Sequence, residues 1–237
     1  MIFNTKKYDE CPATKRELLA YTAEFYDPLG LLTPATLSLK LFLQQLWKKE
    51  YDCDQPFDNT DRQNAETPLE RFQRQSLKLT WQLTAERDKQ RTEIRAFMDA
   101  SKDAYAAVAY LRFYKENRYE SSLLMSKSRV APMRGITIPR LDLMAALVGS
   151  RLLRFVQGQL KHTGPLFLWS DSQATLQWIA TTTTVDRLLY NRIAEIRRNP
   201  AQFRCVDSAN NAVDWQPVAS QLQNLRTSPY TGDGSQC

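Results

Sequence analysis

The chain has 237 residues, enough for one large domain or for a compact domain with a helical attachment. Its 43% hydrophobic and 24% charged residues are ordinary for a folded globular protein, and only 7 glycines argue against a glycine-rich phosphate loop or a many-turned β-barrel. The formal charge of +6 and a pI near 9.1 suit a polyanionic partner.

Helical periodicity over Lys15–Phe25 stops at the turn signal Tyr26-Asp27-Pro28-Leu29-Gly30. A second helix is expected from Thr33-Pro34, with threonine as N-cap and proline at the first helical position, running through Leu37, Leu41, Leu43, Leu46 and Trp47 to Lys48-Lys49-Glu50. Residues 52–68 are polar, with two prolines, and read as a linker; Leu69–Leu79 reads as a short helix. From residue 92 the pattern turns to strands: Ile94–Ala100, Tyr105–Tyr114 and Arg118–Ser126, close enough together for an antiparallel meander. A basic loop (Lys127, Arg129, Arg134) leads to a long helix, Pro139–Leu160. Leu166–Trp169 is a short, wholly apolar run, as in a buried parallel strand. Helices Ser172–Ala180 and Asp186–Arg198, a strand Gln202–Val206 and a helix Asn211–Leu222 complete the order βββαβααβα, an α/β layer on a mixed sheet. The polar tail from Thr227 is expected to be disordered.

The cysteines (Cys11, Cys53, Cys205, Cys237) form no CxxC pair. With a single histidine, His162, this excludes the usual zinc spacings and reads as free thiols in a reducing compartment. No run reaches the ~18 apolar residues of a membrane span, and MIFNTKKYDE lacks the apolar core of a signal peptide. An intracellular location, cytoplasmic or nuclear, with no membrane partner, is the expectation.

Four acids stand where ligands gather. Asp99 lies at the end of the first strand, sharing a face with Arg95 and Phe97, while Ile94, Ala96 and Met98 share the other. Asp171 follows the apolar strand, at the carboxyl end where open α/β sheets bind ligands. Asp142, Ala145, Ala146 and Gly149 fall on one face of the long helix, small enough to lie close to the sheet and bring Asp142 beside Asp99 and Asp171. Leu141, Met144, Val148, Leu152 and Phe155 form an adjoining core stripe. Each acid also has a local explanation. Asp99 suits a turn, Asp142 a helix dipole, Asp171 an N-cap, and Asn211 with Asp214 a capping box. Clustered carboxylates repel and need a cation to stay ionised together, and oxygen-only ligands point to Mg²⁺ or Mn²⁺.

The segments FMDASKDAYAAVAYLR, SKSRVAPMRGITIPRLDLMAALVGSRLL, LWSDSQATLQWIA, NRIAEI and VDSANNAVD resemble, in order, the polyproteins of BEL/Pao-type LTR retrotransposons. The segment TKRELLAYTAEFYDPLGLLTPATLSLKLFLQQLWK resembles the end of their reverse transcriptase, and the whole likeness covers roughly residues 14–222. It implies a ribonuclease H-like α/β fold, a mixed five-stranded sheet flanked by helices and preceded by a mostly helical segment. The implied organisation is a reverse-transcriptase tail over 1–90 with its linker near 52–68, a ribonuclease H-like domain over 91–225 and a tail over 226–237. The implied activity is hydrolysis of the RNA strand of RNA/DNA hybrids with two Mg²⁺ (or Mn²⁺) ions. Asp99 matches the family's D-A-S, Asp171 its W-[ST]-D-S, and Asp214 its N-P-A-D, here Asn211-Ala212-Val213-Asp214. Asp142, in Pro139-Arg140-Leu141-Asp142-Leu143, stands where the family usually has glutamate.

Lys127, Arg129, Arg134, Arg140, Arg151, Arg154 and Lys161 would grip the nucleic acid, though each also suits a solvated face. The implied partners are an RNA/DNA hybrid and the polymerase domain of the same polyprotein, whose Tyr-x-Asp-Asp motif is missing from this chain. Two other readings follow: a catalytically degenerate nucleic-acid-binding remnant, and an aspartic peptidase, the label this stretch often carries. The peptidase is disfavoured because Asp99-Ala100-Ser101 and Asp171-Ser172-Gln173 lack the glycine of an Asp-[Ser/Thr]-Gly loop.

Overall fold

The computed structural model describes residues 12–24, 26–65, 92–115, 117–181 and 186–213. The chain divides into two compact units, Met1–Pro28 with Leu32–Ala85, and Leu29–Leu31 with Glu86–Cys237.

In the first unit, α1 (Lys15–Ala23) is capped by Thr14, whose hydroxyl accepts the Glu17 amide, while Glu17 reaches back to the Ala13 amide at 2.8 Å. Helix α2 (Thr33–Lys48) departs from expectation at its start. Leu32 is the capping residue, Thr33 is already helical, and the Leu32 amide donates instead to Asp27 Oδ2 at 2.7 Å. The carboxylate five residues upstream thus holds the capping residue's own amide, and no side chain caps the first turn. Leu18, Tyr21, Leu39, Phe42, Leu43 and Leu46 form the core between the two helices.

The expected linker is partly core. Phe57 and Ala65 pack into that cluster, Pro56 bridges to Thr14, and residues 59–65 are helical. Asp61 is 2% exposed and accepts from Lys49 Nζ (2.6 and 2.8 Å) and Tyr51 Oη (3.0 Å). Paired and hydrogen-bonded in this way, an acid can be buried, so polarity alone misplaced the segment. The helix expected at Leu69–Leu79 lies outside the described residues, as does the tail.

The second unit is built on one five-stranded sheet in the order β3-β2-β1-β4-β5. Strands β1 (Thr92–Ala100), β2 (Ala104–Lys115) and β3 (Arg118–Val130) form the antiparallel meander; β4 (Leu166–Ser170) runs parallel to β1, and β5 (Gln202–Cys205) parallel to β4. Strands β1, β3, β4 and β5 therefore all end at the same edge. Strand β3 outruns its expected end at Ser126, so Lys127 and Arg129 lie in an exposed edge strand rather than a loop; Arg134 is in the loop that follows. An edge strand tolerates charge on exposed positions, which dilutes its hydrophobic signal.

Helix α3 (Ile138–Leu160) packs on β1 and β2. A Cβ added at Gly149 would meet Ala107 Cβ and Leu168 Cδ1 at 3.4 Å, the close approach that the small face predicts. Leu141, Val148 and Leu152 are buried, but Phe155 is 52% exposed, beyond the reach of the sheet. Helices α4 (Gln173–Ala180) and α5 (Arg187–Arg197) follow β4. The buried Asn199 side chain ties the chain after α5 to α3, donating to the Ser150 carbonyl at 2.7 Å.

The other sheet face carries a second cluster, Phe97, Val108, Tyr110 and Trp169, with Ala212 and Val213 packed on it. Phe97 and Trp169 stack with centroids 6.2 Å apart. Among the described residues no helix is long and apolar enough to cross a membrane. Cys205 is disulfide-bonded, against the expectation of free thiols, while Cys53 is free and exposed. Disulfides answer to proximity in the fold, which sequence spacing does not report.

Candidate functional site

The carboxyl ends of β1 and β4 lie side by side. Met98 pairs with Ser170, the last pair of the β1–β4 ladder, and Asp99 and Asp171 are the residues that follow on the two chains. Alternation places Asp99 on the Phe97 face of the sheet, and Asp99 Oδ1 accepts the Ala100 amide at 2.7 Å.

Asp171 is not the N-cap of α4. Ser172 holds that place, its hydroxyl accepting the Thr175 amide. The carboxylate of Asp171 is turned instead across the sheet edge, where Ser208 Oγ donates to Oδ2 at 2.7 Å. The local explanation for this acid therefore fails by one residue.

Asp142 comes from the other direction. It stands in the second turn of α3, past the reach of the helix dipole's end charge, and is only 9% exposed. Burial pushes its carboxyl above the usual aspartate range and the negative charge of Asp171 adds to this, while a hydrogen bond from Ser172 opposes them. Asp142, near the start of α3, and Asp171, just past the end of β4, are thus near enough for one charge to act on the other. Asp99 follows Phe97 and Asp171 follows Trp169 on the same sheet face by alternation, while Asp142 comes from α3, and among the described residues no three acidic, histidine or cysteine side chains are grouped to hold one ion. Asp214 lies outside the described residues.

Three side chains join these acids to the fold: Ser172 and Ser208, with no role expected from sequence, and Asn211, expected only as part of a capping box. Asn211, buried beyond the 3₁₀ turn Ser208–Asn210, donates its amide to the Met98 carbonyl at 3.0 Å and accepts the Val213 amide at 3.3 Å. It thereby pins the chain leading to Asp214 against β1, one residue before Asp99. A lone asparagine or serine gives no sequence signal for such a long-range contact.

The basic residues divide into two groups. Lys127 and Arg129, opposite Ala107 and Tyr105, are exposed on the α3 face of the edge strand. With Arg134 and Arg154, also exposed, they carry no ion pair among the described residues. Arg151 is engaged in two parallel bonds to Glu195 (2.7 and 2.8 Å), which hold that glutamate below its usual range. Arg140 pairs with Asp186 at 3.4 Å. Lys161 is exposed at the end of α3.

A mixed sheet of this order, three antiparallel strands joined to two parallel ones, with acids at the carboxyl ends of β1 and β4 and a long helix after the meander, defines a ribonuclease H-like α/β domain. The chain belongs to the Pao retrotransposon-like RNaseH-like domain family, whose model matches residues 14–172. No curated protein matches the sequence. Among solved structures it is similar to ribonuclease H1 from the archaeon Halobacterium salinarum NRC-1 (10% identity over 51% of this chain and 89% of that one, TM-score 0.34). It is also similar to the N-terminal RNase H domain of Rv2228c from Mycobacterium tuberculosis (12%, 56% and 99%, 0.37). A third similar structure is the foamy viral protease-reverse transcriptase in complex with RNA/DNA hybrid (13% identity, 99% of this chain but 28% of that one, TM-score 0.47).

Proposed function

We propose that this retrotransposon domain is a ribonuclease H that hydrolyses the RNA strand of RNA/DNA hybrids, with two Mg²⁺ or Mn²⁺ ions held by Asp99, Asp142, Asp171 and Asp214. The observation that carries the reading is the placement of Asp99 and Asp171 at the adjoining carboxyl ends of β1 and β4, with the buried Asp142 near the start of the helix packed on that sheet. Carboxylates gathered in this way are costly without a cation, and oxygen-only donors fit a hard divalent ion. Bound there, such ions activate a water and stabilise the leaving oxygen of a phosphodiester. Asp142 and Asp171 would form the floor of the site, and Asp99 would close it by turning from the Ala100 amide. Asp214 would enter from the chain that Asn211 pins to β1. Lys127, Arg129 and Arg134, near the same edge, supply positive charge for the hybrid's phosphates. Residues 1–90 are proposed to be the tail of a reverse transcriptase, whose polymerase domain would be the partner.

Cleavage of a labelled hybrid tests the proposal. The wild-type chain should cut with Mg²⁺ and not with chelator, and Asp99→Asn should abolish cutting. Equal cleavage by that variant would sink the assignment. Asp142, a shorter side chain than the glutamate usual in the family, favours a second reading, a binding remnant without catalysis. Tight hybrid binding with no metal-dependent turnover would establish it.

A further inference from the structure

Ser208 reaches Asp171 from 37 residues away in sequence, and its turn spans the edge where β1 and β4 end. At one end of the turn the Ser208 hydroxyl donates to Asp171 Oδ2 at 2.7 Å. At the other, the Asn211 amide donates to the Met98 carbonyl at 3.0 Å. Between them the turn is closed by its own backbone, the Asn210 amide on the Asp207 carbonyl at 2.8 Å and the Asn211 amide on the Ser208 carbonyl at 3.1 Å. The base is fixed too: the Val206 amide donates to the Ser170 carbonyl at 3.0 Å, extending the β4–β5 ladder to the residue just before Asp171. A short rigid turn, fastened to both strands that carry proposed metal ligands, holds a hydroxyl against one carboxylate oxygen.

We propose that Ser208 is a positioning residue for Asp171, fixing its carboxylate so that Oδ1 faces the divalent cation. The inference rests on the reading of Asp171 as a metal ligand and adds a residue that the family's run of acids does not contain. A carboxylate has about four lone-pair positions, and the serine takes one on Oδ2. Oδ1 has no donor among the described residues. With one oxygen held, rotation about the Cβ–Cγ bond is restricted, and the ion meets an oriented ligand rather than one it must order. The neighbouring Ser172 is the N-cap of α4, so its loss would weaken that helix. Ser208 is exposed and caps nothing with its side chain, which makes it the cleaner position to test.

The experiment titrates Mn²⁺ alone into the full chain by calorimetry, with free Mn²⁺ followed by electron paramagnetic resonance, for wild type, Ser208→Ala, Ser208→Thr and Asp171→Asn. Ser208→Ala should weaken Mn²⁺ binding on the order of 10- to 100-fold, the usual effect of removing a partner behind a ligand. It should leave the metal-free unfolding midpoint unchanged, and Ser208→Thr, which keeps the hydroxyl, should restore binding. Hybrid cleavage should follow with a matching rise in the Mg²⁺ concentration needed for half-maximal rate. Wild-type Mn²⁺ affinity in Ser208→Ala, alongside weakened binding in Asp171→Asn, would overturn the inference and leave the ligand reading standing. A fall in the metal-free midpoint that threonine does not rescue would mark Ser208 as merely structural and also overturn it. Wild-type affinity in Asp171→Asn would remove the ligand reading itself, and the role of Ser208 with it.

Discussion

Replacing Asn211 by alanine removes two hydrogen bonds at a position only 4% exposed: the side-chain amide to the Met98 carbonyl, and the Val213 amide to the side-chain oxygen. The carbonyl is left buried with one partner fewer, which costs about 1–3 kcal/mol, and the second bond adds about 0.5–1.5 kcal/mol. A loss of about 2–3 kcal/mol should lower the unfolding midpoint by roughly 4–12 °C at the ~2–4 °C per kcal/mol usual for chains of this size. The aspartate variant separates this account from simple loss of bulk. Asn211→Asp has almost the same shape but cannot donate, and it sets a carboxylate against the carbonyl, so it should be less stable than Asn211→Ala. Thermal unfolding by circular dichroism, with tryptophan fluorescence reporting the Trp169 cluster on which Ala212 and Val213 pack, measures both. A midpoint within about 1 °C of wild type for Asn211→Ala, where the scale above requires several degrees, would refute the clamp. So would an aspartate variant more stable than the alanine one.

Three further outcomes follow from the same coordinates. Gly149→Ala adds a Cβ at ordinary contact distance in mid-helix and should be neutral or stabilising by up to ~1 kcal/mol, whereas Gly149→Leu should cost about 1–3 kcal/mol in chemical denaturation by lifting α3 from Ala107 and Leu168. His162 has its Nε2 buried with no hydrogen-bond partner among the described residues, and burial lowers its pKa, with a hydrogen bond to the Pro165 backbone opposing. The unfolded state therefore binds a proton more readily, so stability should fall as pH drops from the ordinary histidine value through the lowered one. As this is the chain's single histidine, His162→Asn should flatten the slope measured in that window. In hybrid binding, Arg129→Ala should reduce the slope of log affinity against log salt by about 1, while Arg151→Ala, already paired to Glu195, should change it far less; equal effects would refute the division of the basic residues.

Much of the sheet was legible because its strands carry strong periods: alternation in β1, an unbroken apolar run in β4, and small residues on one face of α3. The edges were less so. Strand β3 continues through Lys127 and Arg129 because an edge strand can expose charge, and residues 52–65 are packed because Asp61 finds Lys49 and Tyr51. At the site, the strand ends of Asp99 and Asp171 could be read from pattern. The side-by-side register of the strands could not, and neither could the shift of the N-cap from Asp171 to Ser172. Strand alternation places Asp99 on the Phe97 face, as the sequence itself implies, while Asp142 approaches from α3. The contacts of Ser208 and Asn211 were invisible because their partners lie 37 and 113 residues away.

The most direct test of the central claim is a crystal structure of the full chain soaked with Mn²⁺, the ions located by their anomalous scattering. The account predicts two ions about 4 Å apart, bridged by Asp99, Asp142, Asp171 and Asp214, with Asp99 turned from the Ala100 amide toward them. Acids that remain more than about 8 Å apart in Mn²⁺, beyond shared coordination at ~2 Å per ligand bond, would contradict it.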